Sequence, residues 1–418
     1  MQTKILYLLW FLALFHPFRL LNSFSGGLSV LYKVQTIILY LMGLAWLLFS
    51  EKKTNYPTLM WVVILHIVGT LFVAFNTGYA REVTRIIFEA YLLGLITFSF
   101  LRDREHIDKI FTMFAYSFLF FAIFGIMGKG LVRWDYGLSD ENQFGVFMGM
   151  GIFFCLYYAI GQAKGTRRMI GFFTSILCMV GVIVSFSRGA FLGVLACLGI
   201  LWLQSKKKVM ATGFMIFAVV ITITASAVFF PENAFWTEMK SISQGTAQST
   251  ALDRVVLWGI AVEEFMGNPI LGVGPHNFGI RAAEYATEKA LVRYPDFRTL
   301  WGRSLHNIYF QTLAEQGIVG VVLFVVLLVG FWKRNKAVRV ALKASTSQAP
   351  DDKPQQDMSD TKFVFYSKAL YYAMLCFLVG GFFYPLYELD WLWHLLIFNM
   401  VLYLVIVQDG LPQKTHEA

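Results

Sequence analysis

Apolar runs of membrane-crossing length recur along this chain, each bounded by a short polar or charged stretch. Runs of roughly 17 to 25 residues with few charges predict spanning helices. About twelve are expected, at 5–21, 30–49, 57–75, 85–101, 110–127, 144–160, 169–186, 189–204, 209–230, 308–332, 364–383 and 389–407. The first leads into Phe18-Arg19-Leu20-Leu21-Asn22 and not into a small-residue cleavage site, so it is read as a helix and not as a signal peptide. Two interruptions are long. Residues 231–305 form a large polar loop, and 333–362 read as a flexible loop, basic at first and then rich in Ser, Gln, Asp and Pro over 344–360. The fold class is therefore an all-α polytopic membrane protein, one transmembrane domain over 1–418, with a large helical loop outside the bilayer.

The 231–305 loop carries signs of order. Thr250-Ala251-Leu252-Asp253 resembles a capping box, and Leu252, Val255, Val256, Ile260 and Phe265 give the following helix an apolar face. Gly267-Asn268-Pro269 stops that helix, Gly272-Val273-Gly274-Pro275 makes a turn, and a second helix is expected from Ile280 to Leu291. Gly272-x-Gly274 lacks the preceding strand of a phosphate-binding loop, so a turn is the reading. Frequent aromatic residues, among them Phe235, Trp236, Trp258, Tyr285, Tyr294 and Trp301, suit helices lying in the headgroup zone.

Composition agrees with the pattern. Of 418 residues 57% are hydrophobic and 15% charged, and mean hydropathy is +0.60. With the N-terminus inside, lysines and arginines collect in the inner loops at Lys52 and Lys53, Arg102 to Lys109, Lys164 to Arg168, Lys206 to Lys208 and 333–362. This bias places both termini in the cytoplasm and 231–305 outside. Topology thus accounts for the net charge of +9, which is no argument for a nucleic-acid partner. Cys155, Cys178, Cys197 and Cys376 all fall within expected spans, so no disulfide framework is anticipated.

Candidate chemistry gathers at the outer edge. Arg188, in the tight hairpin Phe186-Ser187-Arg188-Gly189-Ala190, is either a fixed cation for an anionic headgroup or pyrophosphate, or an arginine snorkelling to the interface. Arg254 is expected in the first turn of the loop helix, where it would add to the dipole's attraction for anions, or simply pair with Asp253. His306, in Arg303-Ser304-Leu305-His306-Asn307 at the entry to a late span, suits proton transfer near neutral pH. Glu315 lies nine residues further, about 13 Å deeper at 1.5 Å per residue, and should face a buried partner. Asp140-Glu141-Asn142-Gln143 either caps a helix or meets sugar hydroxyls, and Arg85 should pair with Glu89. No acidic and histidine cluster on the outer side suggests a metal site, so a metal-independent mechanism without a cofactor is expected, with arginines neutralising charge.

These residues carry a resemblance. Ser187-Arg188-Gly189-Ala190, Arg254 four residues before Trp258, Asn268-Pro269-x-x-Gly272-x-Gly274, and His306-Asn307-x-Tyr309-x-x-x-Leu313-x-Glu315-x-Gly317-x-x-Gly320 occur in that order, with the large loop between the ninth and tenth expected spans. In this the chain resembles the bacterial O-antigen ligase and O-antigen polymerase superfamily, over about 140–330 by motif and throughout by topology. The resemblance implies a GT-C-like membrane glycosyltransferase of the bacterial inner membrane. Its donor would be a glycan on undecaprenyl diphosphate and its acceptor a lipid A–core sugar, used at the periplasmic face. Arg188 and Arg254 would hold the diphosphate and His306 would act on the acceptor hydroxyl or the leaving group, with Asn307, Glu141 and Asn142 as further binding candidates. Alternatives within the superfamily are an O-antigen or exopolysaccharide polymerase and an O-glycosylation ligase; outside it, a polysaccharide transporter or flippase. The catalytic reading requires Arg188, Arg254 and His306 to meet in one cavity open sideways to lipid.

Overall fold

The computed structural model describes residues 2–25, 34, 37–42, 45, 58–101, 103–135, 138–229, 240, 249–347, 354–385 and 389–408. Among these every regular element is a helix. Eight helices are long and apolar enough to cross a membrane, and Lys4–Phe15, Thr58–Thr70 and Arg188–Gln204 are shorter apolar ones. Every expected span except 30–49 falls on one of them; most of 30–49, and also Phe235 and Trp236, lie outside the described residues. The protein is a multi-pass, all-α membrane protein.

The first expected span is two helices, α1 (Gln2–Phe15) and α2 (Pro17–Ser25). His16 has φ 45°, outside the right-handed helical region that the following proline disfavours. After α3 (Thr58–Thr70) come α4 (Thr77–Phe100), α5 (Arg104–Met127), α6 (Glu141–Gly161), α7 (Thr166–Val184), α8 (Arg188–Gln204) and α9 (Lys208–Phe229). The loop helices are α10 (Ser249–Gly267), α11 (Phe278–Arg281) and α12 (Glu288–Arg293), and the chain closes with α13 (Ile308–Ser347), α14 (Pro354–Gly380) and α15 (Asp390–Tyr403).

Helix α6 is the axis of the bundle, packed most extensively on α14 and α7 and flanked by α5 and α8. Its Phe147, Phe153, Phe154 and Tyr158 are fully buried, and rings such as Phe118 and Phe147 stack with centroids 4.5 Å apart. Helix α9 leans on α7 and α8 and leaves Ile216, Val219, Val220 and Ile223 exposed, as a lipid-facing helix does. At the bundle end away from the loop, Asp108 joins three elements: its carboxylate meets Arg167 at 3.1 Å and Lys362 at 3.2 Å and accepts from the Tyr366 hydroxyl.

Helix α13 is broken. Gly317 has φ 62° and ψ −165°, and a break inside a helix leaves backbone groups without partners. Here the turn after α10 supplies them. Val273 and Gly274 donate their N–H groups to the carbonyls of Ala314 (2.9 Å) and Glu315 (3.0 Å). In return, the N–H groups of Ile318 and Val319 donate to Pro269 O (2.8 Å) and Ile270 O (3.4 Å). Only glycine fits so close: a Cβ on Gly272 would lie 2.4 Å from Glu315 C, and one on Gly317 would lie 2.3 Å from Ile270 O. The Glu315 carboxylate completes the joint, accepting from the N–H groups of His276 (2.9 Å) and Phe278 (3.3 Å) and from Gln311 Nε2 (3.2 Å). Its expected burial with partners is therefore met by loop backbone. Asn277 adds a second tie, its Oδ1 accepting from Asn76 N at 2.6 Å where α4 begins.

Three expectations change. The loop does not simply lie in a headgroup zone: Val256, Leu257, Ile260 and Ala261 build a small core with Phe278, Leu300, Leu305 and Ala314, while Leu252 and Val255 are exposed. The helix expected over 280–291 is instead α11 and α12. Between them the Arg281–Glu284 pair closes a turn, and Thr287 Oγ1 caps a fresh start by accepting from Ala290 N. In the 333–362 stretch, α13 continues to Ser347 and α14 begins at Pro354, with 348–353 outside the described residues. Ala, Leu, Lys and Arg favour helix, and the 0% exposed Val338 and the Ser367 hydroxyl on Asn335 Oδ1 (2.6 Å) hold the extension against α14.

Gly317→Val should lower stability by about 2 kcal/mol or more, since it forces a branched side chain into a left-handed conformation against Ile270 O. A fall in the thermal unfolding midpoint of the detergent-solubilised protein checks this; an unchanged midpoint would mean that the interlock does not support the fold.

Candidate active site

The hairpin between α7 and α8 turns at Phe186, φ 53°. Ser187 caps α8: its Oγ accepts from Ala190 N (3.2 Å) and donates to Asn142 Oδ1 (3.1 Å). Asn142 is itself placed by Asp140, the cap of α6, whose carboxylate accepts from the N–H groups of Asn142 (2.8 Å) and Gln143 (3.3 Å). A Cβ on Gly189 would lie 2.5 Å from the Phe383 Cβ, so the hairpin abuts the turn after α14. Half-buried Arg188, the first residue of α8, is thereby held between two capped helix starts.

Arg254 stands on α10. The described part of that helix runs from Ser249, five residues before Arg254. The spacing from Arg254 to Trp258 matters, because residues four apart share a helix face. The Trp258 Nε1 donates to Leu305 O (3.1 Å) and its ring stacks on Phe310, centroids 5.2 Å apart at 13°. The indole thus fastens α10 to the backbone immediately before His306.

His306 has φ 48° and a ring 6.4 Å from that of Tyr384. Its Nδ1 is buried with no hydrogen-bond partner. Burial first, and then the charge of Arg254, hold the imidazole below its ordinary value of 6.5; Arg303 acts in the same sense and Asp140 opposes them. Arg254 is lowered by burial and then by Arg188. The fold therefore brings Arg188 near Arg254, and Arg254 near His306, from three separate parts of the chain. At neutral pH the imidazole is neutral beside the Arg254 guanidinium, able to take a proton.

A cavity of about 220 Å³ lies beside them. Its walls include Tyr79, His276, Trp301, Arg303, Ser304, Leu305, Gln311 and Glu315, but not Arg188, Arg254 or His306. The three groups do not line it, so this chamber is not the shared cavity that the catalytic reading requires. Asn307 is a helix cap: its Oδ1 accepts from the N–H groups of Tyr309 (2.9 Å) and Phe310 (3.1 Å), and its Nδ2 donates to Phe382 O (3.2 Å). Both ends of that amide serve the fold, because the start of α13 must be fixed to the turn after α14. Glu141 is exposed in the first turn of α6, next to Asp140.

Several groups escaped the sequence reading. Asp140 and Arg303 both act on His306, yet one reads as a cap and the other as a loop arginine. Glu264 on α10 is fully buried with neither carboxylate oxygen hydrogen-bonded, and burial, then the Glu315 charge, push it up to about 9, so it keeps its proton at neutral pH. Its position in an amphipathic helix gave no signal beyond solvated charge. The Gln311–Glu315 spacing of four was the one available sign that Gln311 belongs to the interlock.

Residues 173–325 match the O-antigen ligase family, a stretch that takes in Arg188, Arg254, His306, Glu315 and Gly317. Over 205 residues the chain is 23% identical to an O-antigen polymerase of Salmonella muenchen. That match covers 48% of this chain and 46% of the relative, so the chain spans about half the length of the curated relative it matches. Together, the ligase-family match over 173–325 and the polymerase likeness support a relation to the O-antigen ligase and polymerase superfamily.

Proposed function

We propose that this protein is a glycosyltransferase that moves a glycan from undecaprenyl diphosphate to an acceptor hydroxyl at the periplasmic face of the inner membrane, with both termini cytoplasmic. The observation that carries the reading is the electrostatic cluster itself: Arg188 acts on Arg254, and Arg254 on a buried, neutral His306. Two guanidinium groups suit a diphosphate, whose oxygens accept paired hydrogen bonds. In the step, His306 takes the proton of the acceptor hydroxyl while its oxygen attacks the anomeric carbon. The bond from that carbon to the diphosphate oxygen breaks, with inversion, and the diphosphate leaves with its new charge facing the arginines. Preplaced cations that meet charge growing in the transition state lower the barrier without a metal ion. Asn142 and Asn307 act here by holding Ser187 and the start of α13, and Glu141 stands at the rim as a sugar contact.

The leading acceptor is a lipid A–core sugar, as in a ligase. The likeness to the Salmonella polymerase supports a second reading, in which the acceptor is another lipid-linked repeat. A carrier would explain the broken α13, since transporters bind substrate at such breaks. The freed backbone groups are taken by the 269–274 turn, however, which favours catalysis at the rim over passage through the break.

In proteoliposomes supplied with an undecaprenyl-diphosphate-linked repeat, Arg188→Ala, Arg254→Ala and His306→Ala should each reduce glycosidic product by about a hundredfold or more, the usual cost of one such contact. Near-normal transfer by the arginine variants would refute the assignment. Adding lipid A–core in one arm and only lipid-linked repeats in the other separates ligase from polymerase.

The pH dependence has a definite sign. Because His306 is held below 6.5, its basic form persists below that pH, and the rate should fall only as pH drops through the lowered value. Arg254→Gln removes a repelling charge, so the acid limb of its residual activity should move to higher pH. A pH–rate profile of both proteins checks this, and an unmoved limb would separate the two residues.

A further inference from the structure

Helices α13 and α14 carry positive charge where a spanning helix ordinarily avoids it. Lys368 falls inside the span expected over 364–383 and is half-buried, and Arg339 is half-buried on the extension of α13 that packs against α14. A charge at such a position is costly unless something negative meets it. Among the described residues neither is paired with a carboxylate. At that end of the bundle Asp108 is taken by Arg167 and Lys362, Asp103 by His106, and Glu105 by Lys109. The charges of Arg339 and Lys343 instead repel Lys368.

Aromatic rings hold both cations in place. The Arg339 guanidinium lies 5.4 Å from the Tyr371 ring centroid, and Lys368 Nζ lies 5.3 Å from that of Phe365 and 5.8 Å from that of Tyr157. Tyr157 stacks on Tyr372 at 5.1 Å, and Trp332 meets Tyr371 edge-on at 4.9 Å. The end of α8 closes the set: Gln204 Nε2 donates to the Tyr371 hydroxyl and the Tyr372 hydroxyl donates to Gln204 Oε1, each at 3.4 Å. A ring face offsets part of a cation's charge and leaves its N–H groups wanting acceptors. The outer surface of α13 shows what lies alongside. Val322, Val325 and Val329 are 52%, 50% and 44% exposed and share one helix face. Trp332, Lys336 and Arg339 continue that ridge in steps of three and four. An apolar ridge that runs into a tryptophan and then into cations follows the profile of one leaflet, tails first and headgroup last.

We propose that Arg339 and Lys368 form a headgroup site for an anionic glycerophospholipid, which meets them with its phosphate and lays an acyl chain along the Val322–Val325–Val329 ridge. A guanidinium can give a phosphate two parallel hydrogen bonds. Two cations with no acidic neighbour favour a lipid with net negative charge over a zwitterionic one, whose own ammonium they repel. The bound lipid offsets the repulsion between the two helices and so fastens the α13 extension to α14. In the orientation proposed above the site faces the cytoplasmic leaflet. It stands apart from the Arg188, Arg254 and His306 cluster and does not depend on glycan transfer.

The test uses the full-length protein in detergent, with native mass spectrometry reading lipid binding. The probes are phosphatidylglycerol and phosphatidylcholine with identical acyl chains. Phosphatidylglycerol should bind more tightly to the wild-type protein. Combining Arg339→Gln with Lys368→Gln should weaken its binding by about tenfold or more and leave phosphatidylcholine unchanged. Combining Lys4→Gln with Lys164→Gln removes the same charge at exposed positions outside the site and should alter neither lipid. Arg339→Lys keeps the charge and should retain most of the preference, which separates lost binding from lost folding. Equal affinity of the wild-type protein for both lipids, or an equal loss in the two double variants, overturns the proposal. Displacement of phosphatidylglycerol by excess inorganic phosphate would assign the site to the free anion and overturn it as well. Transfer assays of Arg188→Ala and His306→Ala decide the glycosyltransferase reading separately, since those residues lie outside this site.

Discussion

A membrane helix that stops hydrogen-bonding to itself must find other partners, and in this protein the partner is its own outer loop. At Gly317 the backbone of α13 leaves the helical region, and two carbonyls and two N–H groups around the break are taken by the turn at 269–274. In a low-dielectric setting each unmade backbone bond costs several kcal/mol, so the loop cannot detach without exposing groups that have no alternative. Glu315 strengthens the constraint by holding two further loop N–H groups with a buried carboxylate. The rest of the loop side depends on this joint: α10 leaves it in one direction, and 276–281 leaves it in the other to form the chamber wall.

From the joint, rigidity passes to the charged cluster. Helix α10 is fixed at one end by the turn and along its length by Trp258 on Leu305 O, which puts Arg254 beside His306. The α7–α8 hairpin approaches from the opposite side, capped by Ser187 and tied to α6 through Asn142. Two like charges brought together raise each other's energy, and a dry environment amplifies this. The cost is borne by packing elsewhere, chiefly by the aromatic core around α6. Such a cluster is unfavourable when alone and favourable when it meets a dianion, which is how binding energy can be reserved for a charged leaving group. His306 stays neutral in this field, and Glu264 stays protonated, for the same reason: burial disfavours the charged form of each.

The site was legible from sequence to the extent that its chemistry is carried by residue type and side of the membrane. Arg188, Arg254 and His306 stand out because cations and an imidazole at an outer edge need a reason, but only the family resemblance joins the three into one candidate site. Asn307 enters as a binding candidate only through the resemblance; the structure employs its Oδ1 in capping α13 and its Nδ2 in tying that start to Phe382 O. Asp140 shows the converse, a capping residue whose charge also acts on His306. A single polar side chain can serve the backbone, the site or both, and composition does not tell these apart.

Hydrophobic period and length alone determined that the chain is a helical, multi-pass membrane protein, and they set apart 231–305 as an expected excursion, because bilayer thickness and the 1.5 Å helical rise admit few other solutions. Tertiary structure decided where α13 breaks and how far it runs: at Gly317 by the inserted turn, and past 333, where α14 supports an extension expected to be a loop. It also decided that the three groups cluster beside the chamber, outside its walls. The pairing of a turn near 270 with a carbonyl at 314 is a contact between segments more than 40 residues apart, and a local pattern cannot encode which distant backbone will satisfy a broken helix.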